Sequence, residues 1–373
     1  MKLLFIIHNI YQGGAERVLS LLVNELAERG HQIYILTDPH RISYEIDDRV
    51  NIISAYNNID INKKLSRLGT IIRYIKLMTT QYGIIKKLLK EENPDVIVSF
   101  MGMCIWQLIP FRKKYKIIIS DHSAMEREFS IKMNFERRRL PESFFSQTVL
   151  TERDKQFLGI RRNNVVVMHN PMTYQVLDEP EYDKLFYDRK DILACGSLDR
   201  YYIKGFDNLI KAFSLAVKDR EGWYLDIAGG GDVENERKLK EIASENNVES
   251  KVRFLGYRKD VDKLMQAHAI FAHTPRSEGF GMVLTEAMAS GCPVVCYNLS
   301  GPSEIIRDNI DGLLVENQNI EMMAIRIREL MDNKEERNRL GKNALKSVTR
   351  FSLAQIVDKW ELLFKEEQIE NIN

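Results

Sequence analysis

The chain has 373 residues, of which 44% are apolar and 29% charged, so it can form two domains with sizeable cores and contains no long disordered, repetitive or low-complexity segment. The net charge of +1 hides an asymmetry: residues 1–170 hold 26 Lys and Arg against 18 Asp and Glu, and the remainder holds 28 against 35. Halves at +8 and −7 indicate an N-terminal half that meets an anionic surface or substrate, and no nucleic-acid partner is expected.

The cysteines and the start of the chain bear on location. Cys104, Cys195, Cys292 and Cys296 are scattered and mostly lie in apolar runs, which predicts reduced core residues and neither a disulfide framework nor a zinc site. The apolar run at 3–7 is too short for a signal-peptide core, and no stretch approaches the roughly 20 apolar residues of a membrane helix. We expect a cytoplasmic protein, with a peripheral position at the inner face of the plasma membrane as the alternative.

The first half predicts a parallel α/β sheet. An apolar strand at 3–7, a glycine turn, a helix at 15–29 and a strand at 31–37 form one βαβ unit. Further apolar strands are predicted at 96–100, 117–120, 148–150 and 165–168.

The second half repeats this plan. Strands are predicted at 192–195, 223–228, 252–255, 270–273 and 294–297, and helices at 206–217, 234–245 and 261–267. Asn-Pro, Glu-Pro and a charged run around 170–187 predict the junction, so the domains are 1–170 and 171–353, and a last helix at 354–373 is expected to pack back on the first. The predicted fold is α/β with two Rossmann-like doubly wound domains, and ligands are expected in the crevice between them.

One segment, Ser277–Gly291, sets Glu278 and Glu286 eight positions apart across a glycine turn and the start of a predicted helix. Gly279 and Gly281 let main-chain N–H groups approach a ligand, and the positive end of the helix dipole points at the same place. Glu286 lies inside the helix, where it can accept hydrogen bonds from hydroxyls. The spacing therefore predicts a ligand site suited to a diphosphate.

These residues resemble the retaining nucleotide-sugar glycosyltransferases of family 4 (glycosyltransferase group 1), whose GT-B fold sets two Rossmann-like domains around a central crevice. The resemblance covers nearly the whole chain, and its most specific element is Glu278-Gly-Phe-Gly-Met-Val-Leu-Thr-Glu286 with the following 287–295. The supporting segments are Gly13–Arg17, Lys204–Ile210, Ile227–Asp232, Phe254–Tyr257, Gly301–Ile306 and Asp311–Val315.

The resemblance implies a donor site in the second domain. Glu286 would hold the ribose hydroxyls, Glu278 the transferred sugar, and Lys204 the diphosphate; the alternative for Lys204 is a surface lysine beside a helix. The main-chain amides that would also bind the diphosphate belong to Gly279, Phe280, Gly281, Met282 and Val283.

In the first domain the resemblance implies that Gly13 and Gly14 face the donor, although a simple turn also explains them. His122 resembles the family histidine that meets the sugar, against the alternative of a structural histidine. Its neighbour Asp121 would either orient His122 or bind the acceptor.

The chain departs from the family at one position. The usual arginine on the diphosphate is replaced by Ser197, and the loop before Lys204 is two residues longer. We expect Arg200 to supply the missing guanidinium from this loop.

The family's reaction transfers a sugar from a nucleoside diphosphate, with UDP the expected nucleotide, to a hydroxyl with retention at the anomeric carbon. Because cations stabilise the leaving diphosphate, the resemblance implies no cofactor and no metal. The main alternative is a nucleotide-sugar epimerase on the same double fold, followed by a non-catalytic sugar-binding relative. Asp38 ends the second strand where a nicotinamide dehydrogenase places a carboxylate, but the first turn lacks the G-x-G-x-x-G spacing.

The acceptor is less clearly indicated. Basic and apolar residues alternate at 63–77 and 84–90, and Arg137-Arg138-Arg139 adds a basic run. Such segments suit an anionic membrane and equally suit ordinary helices with solvated lysines. We expect a glycan acceptor carried on a lipid, in the assembly of a surface polysaccharide, lipopolysaccharide, capsule or glycolipid.

Overall fold

The computed structural model describes residues 1–56, 66–127, 130–159, 163–177 and 189–366. Two compact units make up the chain: unit 1 is Met1–Pro171 with Leu353–Asn373, and unit 2 is Met172–Ser352. Most of the predicted junction and the last residues of the predicted terminal helix lie outside the described residues, as do Lys63, Lys64 and Leu65.

Unit 1 is built on a seven-stranded sheet in the part of the chain that the structure describes, and every neighbouring pair of strands is parallel. The order is β3-β2-β1-β4-β5-β6-β7. The central strands are continuous apolar runs because both faces of such a sheet are covered by helices. The strands are β1 (Lys2–Ile6), β2 (Gln32–Thr37), β3 (Asn51–Ser54), β4 (Val96–Phe100), β5 (Lys116–Ser120), β6 (Ser146–Val149) and β7 (Val165–Val167).

Helix α1 buries Val18, Leu19, Leu22 and Leu26 along one face, at the spacing of helical turns. The helices of unit 1 before its C-terminal segment are α1 (Gly14–Glu28), α2 (Arg67–Glu91), α3 (Ile105–Leu108), α4 (Ile131–Arg138) and α5 (Glu152–Leu158).

Unit 2 repeats the arrangement with a six-stranded parallel sheet, counted over the described residues, in the order β10-β9-β8-β11-β12-β13. The strands are β8 (Asp191–Cys195), β9 (Tyr224–Ala228), β10 (Val252–Gly256), β11 (Ile270–His273), β12 (Val294–Tyr297) and β13 (Leu313–Val315). Its helices are α6 (Tyr201–Lys204), α7 (Phe206–Ala216), α8 (Val233–Glu245), α9 (Val261–Ala267), α10 (Met282–Ala289), α11 (Ser300–Ile305), α12 (Ile320–Asp332) and α13 (Lys334–Ser347).

The last helix, α14 (Leu353–Lys365), belongs to unit 1 and packs on α1. The guanidinium of Arg29, just after α1, lies 3.1 Å from the carboxylate of Glu361, and Nε2 of His31 lies 2.7 Å from the other oxygen of that carboxylate. Trp360 on the same helix is 1% exposed. The last helix that the structure describes therefore belongs to the same unit as β1.

The strand order reverses direction once in each sheet, between β1 and β4 in unit 1 and between β8 and β11 in unit 2. Ligands of doubly wound sheets bind beyond the carboxyl ends of the strands at such a point. The segments that follow β8 and β11 contain Lys204 and Glu278, and those that follow β1 and β5 contain Gly13 and His122. Topology alone thus places the predicted residues of each unit at its expected ligand edge.

The two doubly wound domains confirm the predicted fold class. The four cysteines are free and buried, as predicted. Among the described residues, no helix combines the length and apolar character needed to cross a bilayer.

Candidate functional site

Three side chains of unit 2 meet at one carboxylate oxygen. Nζ of Lys204 donates to Oε2 of Glu278 at 2.8 Å, and Nε2 of His273 lies 3.3 Å from the same oxygen. The side chains of Lys204 and Glu278 are 21% and 16% exposed, whereas that of His273 is 3% exposed. The structure therefore brings together two of the predicted residues and adds a histidine that the sequence did not single out.

The approach of Lys204 to Glu278 depends on a close contact at Gly205. Gly205 has φ +69, and a Cβ there would lie 1.7 Å from the main-chain oxygen of Thr274. The hydroxyl of Thr274 donates to the Gly205 carbonyl at 2.9 Å, and the amide of Arg276 donates to the Ile203 carbonyl at 2.8 Å. These contacts dock the loop after β11 on α6 and so bring the main chain of Lys204 close enough to Glu278 for the two side chains to meet.

Burial alone would raise the pKa of Glu278, but the Lys204 ammonium and His273 outweigh it, so that pKa lies well below its usual range. Burial lowers the pKa of His273, with Lys204 acting in the same direction and Glu278 against it. At neutral pH the cluster is thus a carboxylate, an ammonium and a neutral imidazole.

Helix α10 begins directly after the cluster. Gly281 caps it with φ +97, so the amides of the first turn, including those of Met282 and Val283, point out of the helix beside Glu278. The Phe280 ring is 2% exposed and packs edge-on against Phe351, which leaves only its main chain for ligand contact. This geometry suits an anionic group at the helix start.

Glu286 lies one turn inside α10 and is 7% exposed. Its Oε1 accepts a hydrogen bond from the hydroxyl of Thr173 at 2.6 Å. The Thr173 segment is anchored by main-chain bonds from Met172 to Phe351 and from Leu177 to Ala289. The predicted ribose-binding acid is therefore held by a residue that directly follows the boundary between the units.

Ser197 and Arg200 lie on the loop between β8 and α6 and are both exposed. Within the described residues, the Arg200 side chain forms no hydrogen bond or ion pair. The substitution of this arginine for the family's usual one stays a prediction.

In unit 1, His122 lies in a hydrogen-bonded chain. Thr148 donates to the Ser120 hydroxyl at 2.8 Å, and Ser120 lies 3.0 Å from Nε2 of His122, whose Nδ1 lies 3.2 Å from Oδ1 of Asn170. This order assigns the proton to Nδ1, because the amide oxygen can only accept. The ring stacks on Phe100 with centroids 4.7 Å apart. Burial lowers the pKa of His122 to about 4, so the imidazole is neutral at pH 7.

Asp121 does not orient His122. Both of its oxygens accept from the Arg137 guanidinium, at 2.7 and 3.0 Å, and Oδ1 also accepts the Ser123 amide at 2.9 Å. The reason is the position of α4, whose Arg137 side chain reaches back to the end of β5 and is only 10% exposed. Ser120 and Asn170 hold His122 instead.

Asp121 also lines a cavity of about 350 Å³ at the carboxyl ends of β4 and β5. Its wall combines apolar and charged side chains, namely Met101, Ile119, Met133, Asp121, Arg127, Glu136 and Arg137, with Gly102 and Ser123. Two of its lining residues, Asp121 and Ser123, flank His122 in the sequence, and the cavity lies at the ligand edge of the sheet. It is the candidate acceptor-side site of unit 1.

Gly13 and Gly14 begin α1, with Gly13 as its cap. The Glu16 carboxylate folds over this turn, because a Cβ on Gly13 would lie 1.8 Å from Oε2 of Glu16. The Gly13 carbonyl accepts from the Tyr44 hydroxyl at 3.2 Å. Contact of these glycines with a donor stays a prediction.

The basic segments differ in their surroundings. In the second half of α2, Ile85, Leu88 and Leu89 are buried in the core, which corresponds to an ordinary amphipathic helix. In the first half, Leu68, Ile71, Ile72 and Ile75 are 51–68% exposed. The 137–139 run is not a uniform basic surface, because Arg137 pairs with Asp121 and Arg138 donates to the Met125 carbonyl.

Sequence reasoning missed His273 and Thr173 as site residues. His273 is the last residue of a buried strand that ends at the ligand edge, and this position was its one detectable signal. Thr173 is 113 positions from its partner Glu286, and no local pattern reports such a pair. Among the described residues, no group of three or more His, Cys, Asp or Glu side chains is gathered for a metal ion, and the metal-free reaction stays a prediction.

Comparison with known families gives two matches. Residues 180–347 match the family model "Glycosyl transferases group 1", and residues 12–173 match "Glycosyltransferase Family 4". The two matches cover different units and nearly adjoin at the boundary between them.

Two curated relatives align along the whole chain. The GalNAc-alpha-(1->4)-GalNAc-alpha-(1->3)-diNAcBac-PP-undecaprenol alpha-1,4-N-acetyl-D-galactosaminyltransferase of Campylobacter jejuni is 27% identical over 98% of this chain and 99% of its own. The amylovoran biosynthesis glycosyltransferase AmsD of Erwinia amylovora is 26% identical over 96% and 98%.

Solved structures share the fold. A Staphylococcus aureus TarM variant, crystallised with Fondaparinux, alpha-GlcNAc-glycerol and UDP, superposes with a TM-score of 0.78 at 16% identity, covering 97% of this chain and 99% of TarM. At this identity the likeness establishes the fold alone.

Proposed function

Because the chain belongs to the family 4, group 1 glycosyltransferases and has their GT-B fold, we propose that it moves a hexose or N-acetylhexosamine from a UDP-sugar to a hydroxyl of a glycan acceptor, with retention at the anomeric carbon. The observation that carries the proposal is the Lys204–Glu278 pair at the start of α10. It sets a cation, an ionised acid and free amides at one place, as a diphosphate joined to a sugar requires.

Breaking the bond between the anomeric carbon and the diphosphate leaves positive character on the sugar and negative charge on the phosphate oxygens. The Lys204 ammonium and the amides at the start of α10 offset that negative charge, and they gain most where it is largest, in the transition state. Because these groups supply the positive charge, we propose that the reaction needs neither a divalent ion nor another cofactor. Turnover unchanged by EDTA supports this, and loss restored by Mg²⁺ contradicts it.

Glu278 stays ionised at neutral pH and can accept hydrogen bonds from hydroxyls of the transferred sugar. Glu286 offers its carboxylate to the two ribose hydroxyls. A UDP complex of the S. aureus protein with the same fold supports the choice of UDP.

The acceptor is proposed to be a glycan on a lipid, as the name of the C. jejuni relative describes for that enzyme. We propose that its terminal sugar binds in the cavity that Asp121 lines, because the apolar side chains there suit the C–H face of a pyranose and the charged side chains suit its hydroxyls. His122, a neutral neighbour of Asp121 in the sequence, is proposed to meet the transferred sugar.

We also propose that unit 1 docks on an anionic membrane surface at the cytoplasmic face, in the assembly of a surface polysaccharide. Leu68, Ile71, Ile72 and Ile75 are exposed on one helix with Lys76 among them, and Ile131 on α4 is 92% exposed. The hydroxyl of Tyr74 on α2 accepts from Lys132 on α4 at 3.2 Å, which links the exposed part of α2 to α4.

Liposome sedimentation tests the membrane proposal. The variant I72S/I75S should bind vesicles of anionic phospholipid less than wild type at physiological salt, while V233S, at an 83% exposed position in unit 2, should bind as wild type. Equal binding by all three proteins would favour a soluble acceptor.

A donor panel tests the function itself. Wild-type protein is incubated with UDP-, GDP- and other nucleotide sugars and lipid-linked acceptors, and the products are identified by NMR, which also reports the anomeric configuration. Free UDP with an α-linked product from an α-donor supports the proposal; an isomerised nucleotide sugar indicates the epimerase, and binding without turnover the non-catalytic relative.

The same assay tests Lys204 and Arg200. K204A should abolish turnover, and R200A should weaken UDP-sugar binding about tenfold if its guanidinium replaces the family arginine. Unchanged binding in R200A, alongside an inactive K204A, contradicts the role of Arg200.

A further inference from the structure

His273 is buried beside Glu278 without a settled partner. Its Nε2 lies 3.3 Å from Oε2 of Glu278, but among the described residues this atom makes no hydrogen bond of acceptable geometry. The oxygen it faces also accepts a hydrogen bond from the Lys204 ammonium at 2.8 Å. A carboxylate oxygen can accept from two donors, so the ammonium does not exclude the imidazole, which lies close enough to donate but is not aligned for it.

The surroundings of His273 leave few other partners. Its strand neighbour in register is Cys296, a fully buried thiol whose pKa burial raises, and Phe271 lies against the ring at 6.3 Å. Lys204 and Glu278 are the charged groups that act on it. A neutral imidazole carries one N–H, and Glu278 is the acceptor within reach of Nε2.

Donor binding changes this balance if Lys204 engages the diphosphate. The ammonium would then move away from a carboxylate that is only 16% exposed. An ionised buried acid that loses its partner is strongly destabilised unless another donor replaces it. His273, whose Nε2 lies 3.3 Å from the same oxygen, can supply that donor.

We propose that His273 is a positioning residue. It donates Nε2–H to Glu278 when the bound nucleotide sugar draws Lys204 to its diphosphate, and so keeps Glu278 ionised and aimed at the transferred sugar. The inference rests on the proposed function, since it assumes that Lys204 meets the diphosphate and Glu278 the sugar. The same carboxylate oxygen then accepts from Lys204 in the free enzyme and from His273 in the complex.

The proposal separates sugar recognition from nucleotide recognition. H273L replaces the imidazole with an apolar side chain of similar size that has no N–H group. It should therefore lower kcat with the UDP-sugar about tenfold or more, while UDP affinity stays within about twofold. H273Q retains an N–H and should recover most of kcat. In an E278A background H273L should have little further effect, because the residue acts through Glu278.

A matched control removes a different buried histidine of unit 2. His268 is 4% exposed and bonds to Asp226 at 2.9 Å. H268L should lower stability without changing kcat per folded molecule. If H273L instead loses UDP affinity and kcat equally, or if H273Q is no better than H273L, His273 is a packing residue and the proposal is wrong.

A second readout needs no transfer reaction. In protein labelled with ¹⁵N-histidine, saturation with UDP should move the Nε2–H signal of His273 downfield and slow its exchange, and E278Q should abolish this response. If wild type binds no UDP and turns over no nucleotide sugar, the proposed function fails. If it binds UDP while the His273 signal stays unchanged, the inference alone fails.

Discussion

At the scale of single residues, the two acids predicted for the donor site are held by different chemistry. Glu278 faces an ammonium and an imidazole, whereas Glu286 accepts from the hydroxyl of Thr173. A neighbouring cation keeps a buried carboxylate ionised, whereas a neighbouring hydroxyl mainly fixes the orientation of the carboxylate. This difference matches the predicted pair, in which Glu278 meets the transferred sugar next to the Lys204 ammonium and Glu286 accepts from a neutral ribose.

Thr173→Val tests the role of that hydroxyl. Valine has nearly the same shape, so the loss of one hydrogen bond to Glu286 should weaken UDP binding about five- to tenfold, measured by calorimetry. Thr173→Ser keeps the hydroxyl and serves as the control. UDP affinity equal to wild type in the valine variant shows that Glu286 needs no such support.

His122 predicts a dependence of stability on pH. Burial lowers its pKa from 6.5 to about 4, so between these values the unfolded chain binds a proton that the folded chain does not. Above pH 6.5 the neutral His122 does not reduce the free energy of unfolding. As the pH falls from 6.5 towards 4, that free energy decreases by up to about 3 kcal/mol because the unfolded chain gains the proton first. His122→Gln should flatten this part of the profile in urea titrations.

His40→Gln is the control for that profile, because His40 is exposed. It should retain the wild-type slope between pH 6.5 and 4. A His122→Gln protein with the same slope would mean that other groups carry the whole effect.

At the scale of elements, the site is made where loops dock on short helices. The loop after β11 is joined to α6 by one main-chain bond, by the Thr274 hydroxyl and by the close approach at Gly205, and this docking lets Lys204 reach Glu278. The spacing of two distant segments is thus set by a glycine that allows backbone to touch backbone.

Gly205→Ala should therefore lower the free energy of unfolding by more than the strain of a left-handed backbone conformation alone. Gly256 has φ +65, and a Cβ added there would meet nothing within 4 Å, so Gly256→Ala should lose only about 1–2 kcal/mol for its left-handed conformation. At Gly205 the added Cβ meets the Thr274 oxygen at 1.7 Å, and the loss should be at least about twice as large, with weaker UDP binding. Chemical unfolding measures the stability of the two variants, and calorimetry measures their UDP binding. Equal losses of stability at the two positions would show that the loop after β11 moves away from the added Cβ at little cost.

The sequence predicted most elements because central parallel strands are continuous apolar runs. Val96–Phe100, Ile270–His273 and Val294–Tyr297 agree with the structure to the residue. The edge strand β3 was missed because Asn51–Ser54 is short and partly exposed, so it lacks that signature. Of the site, the pattern found the acids and Lys204 through local motifs, whereas the Asp121–Arg137 pair depends on packing that no local pattern reports.

At the scale of the whole molecule, the chain leaves unit 1 at Pro171 and returns to it at Leu353. Each unit has its own tryptophan in its core: Trp360 on α14, 1% exposed, and Trp223 before β9, 5% exposed and packed in the core of unit 2. Units with separate cores can lose stability separately, and a single unfolding free energy need not describe both.

This independence predicts opposite patterns for two matched variants. Trp360→Ala removes a buried ring from α14 and should destabilise unit 1 by about 3–5 kcal/mol, so hydrogen exchange should speed up at β1, β2 and β4 while β8 and β11 keep their protection. Trp223→Ala should do the reverse. Hydrogen exchange followed by mass spectrometry resolves the two sheets. Loss of protection spread evenly over both sheets in either variant would show that the units unfold as one, because a cavity in one core would then weaken the other equally.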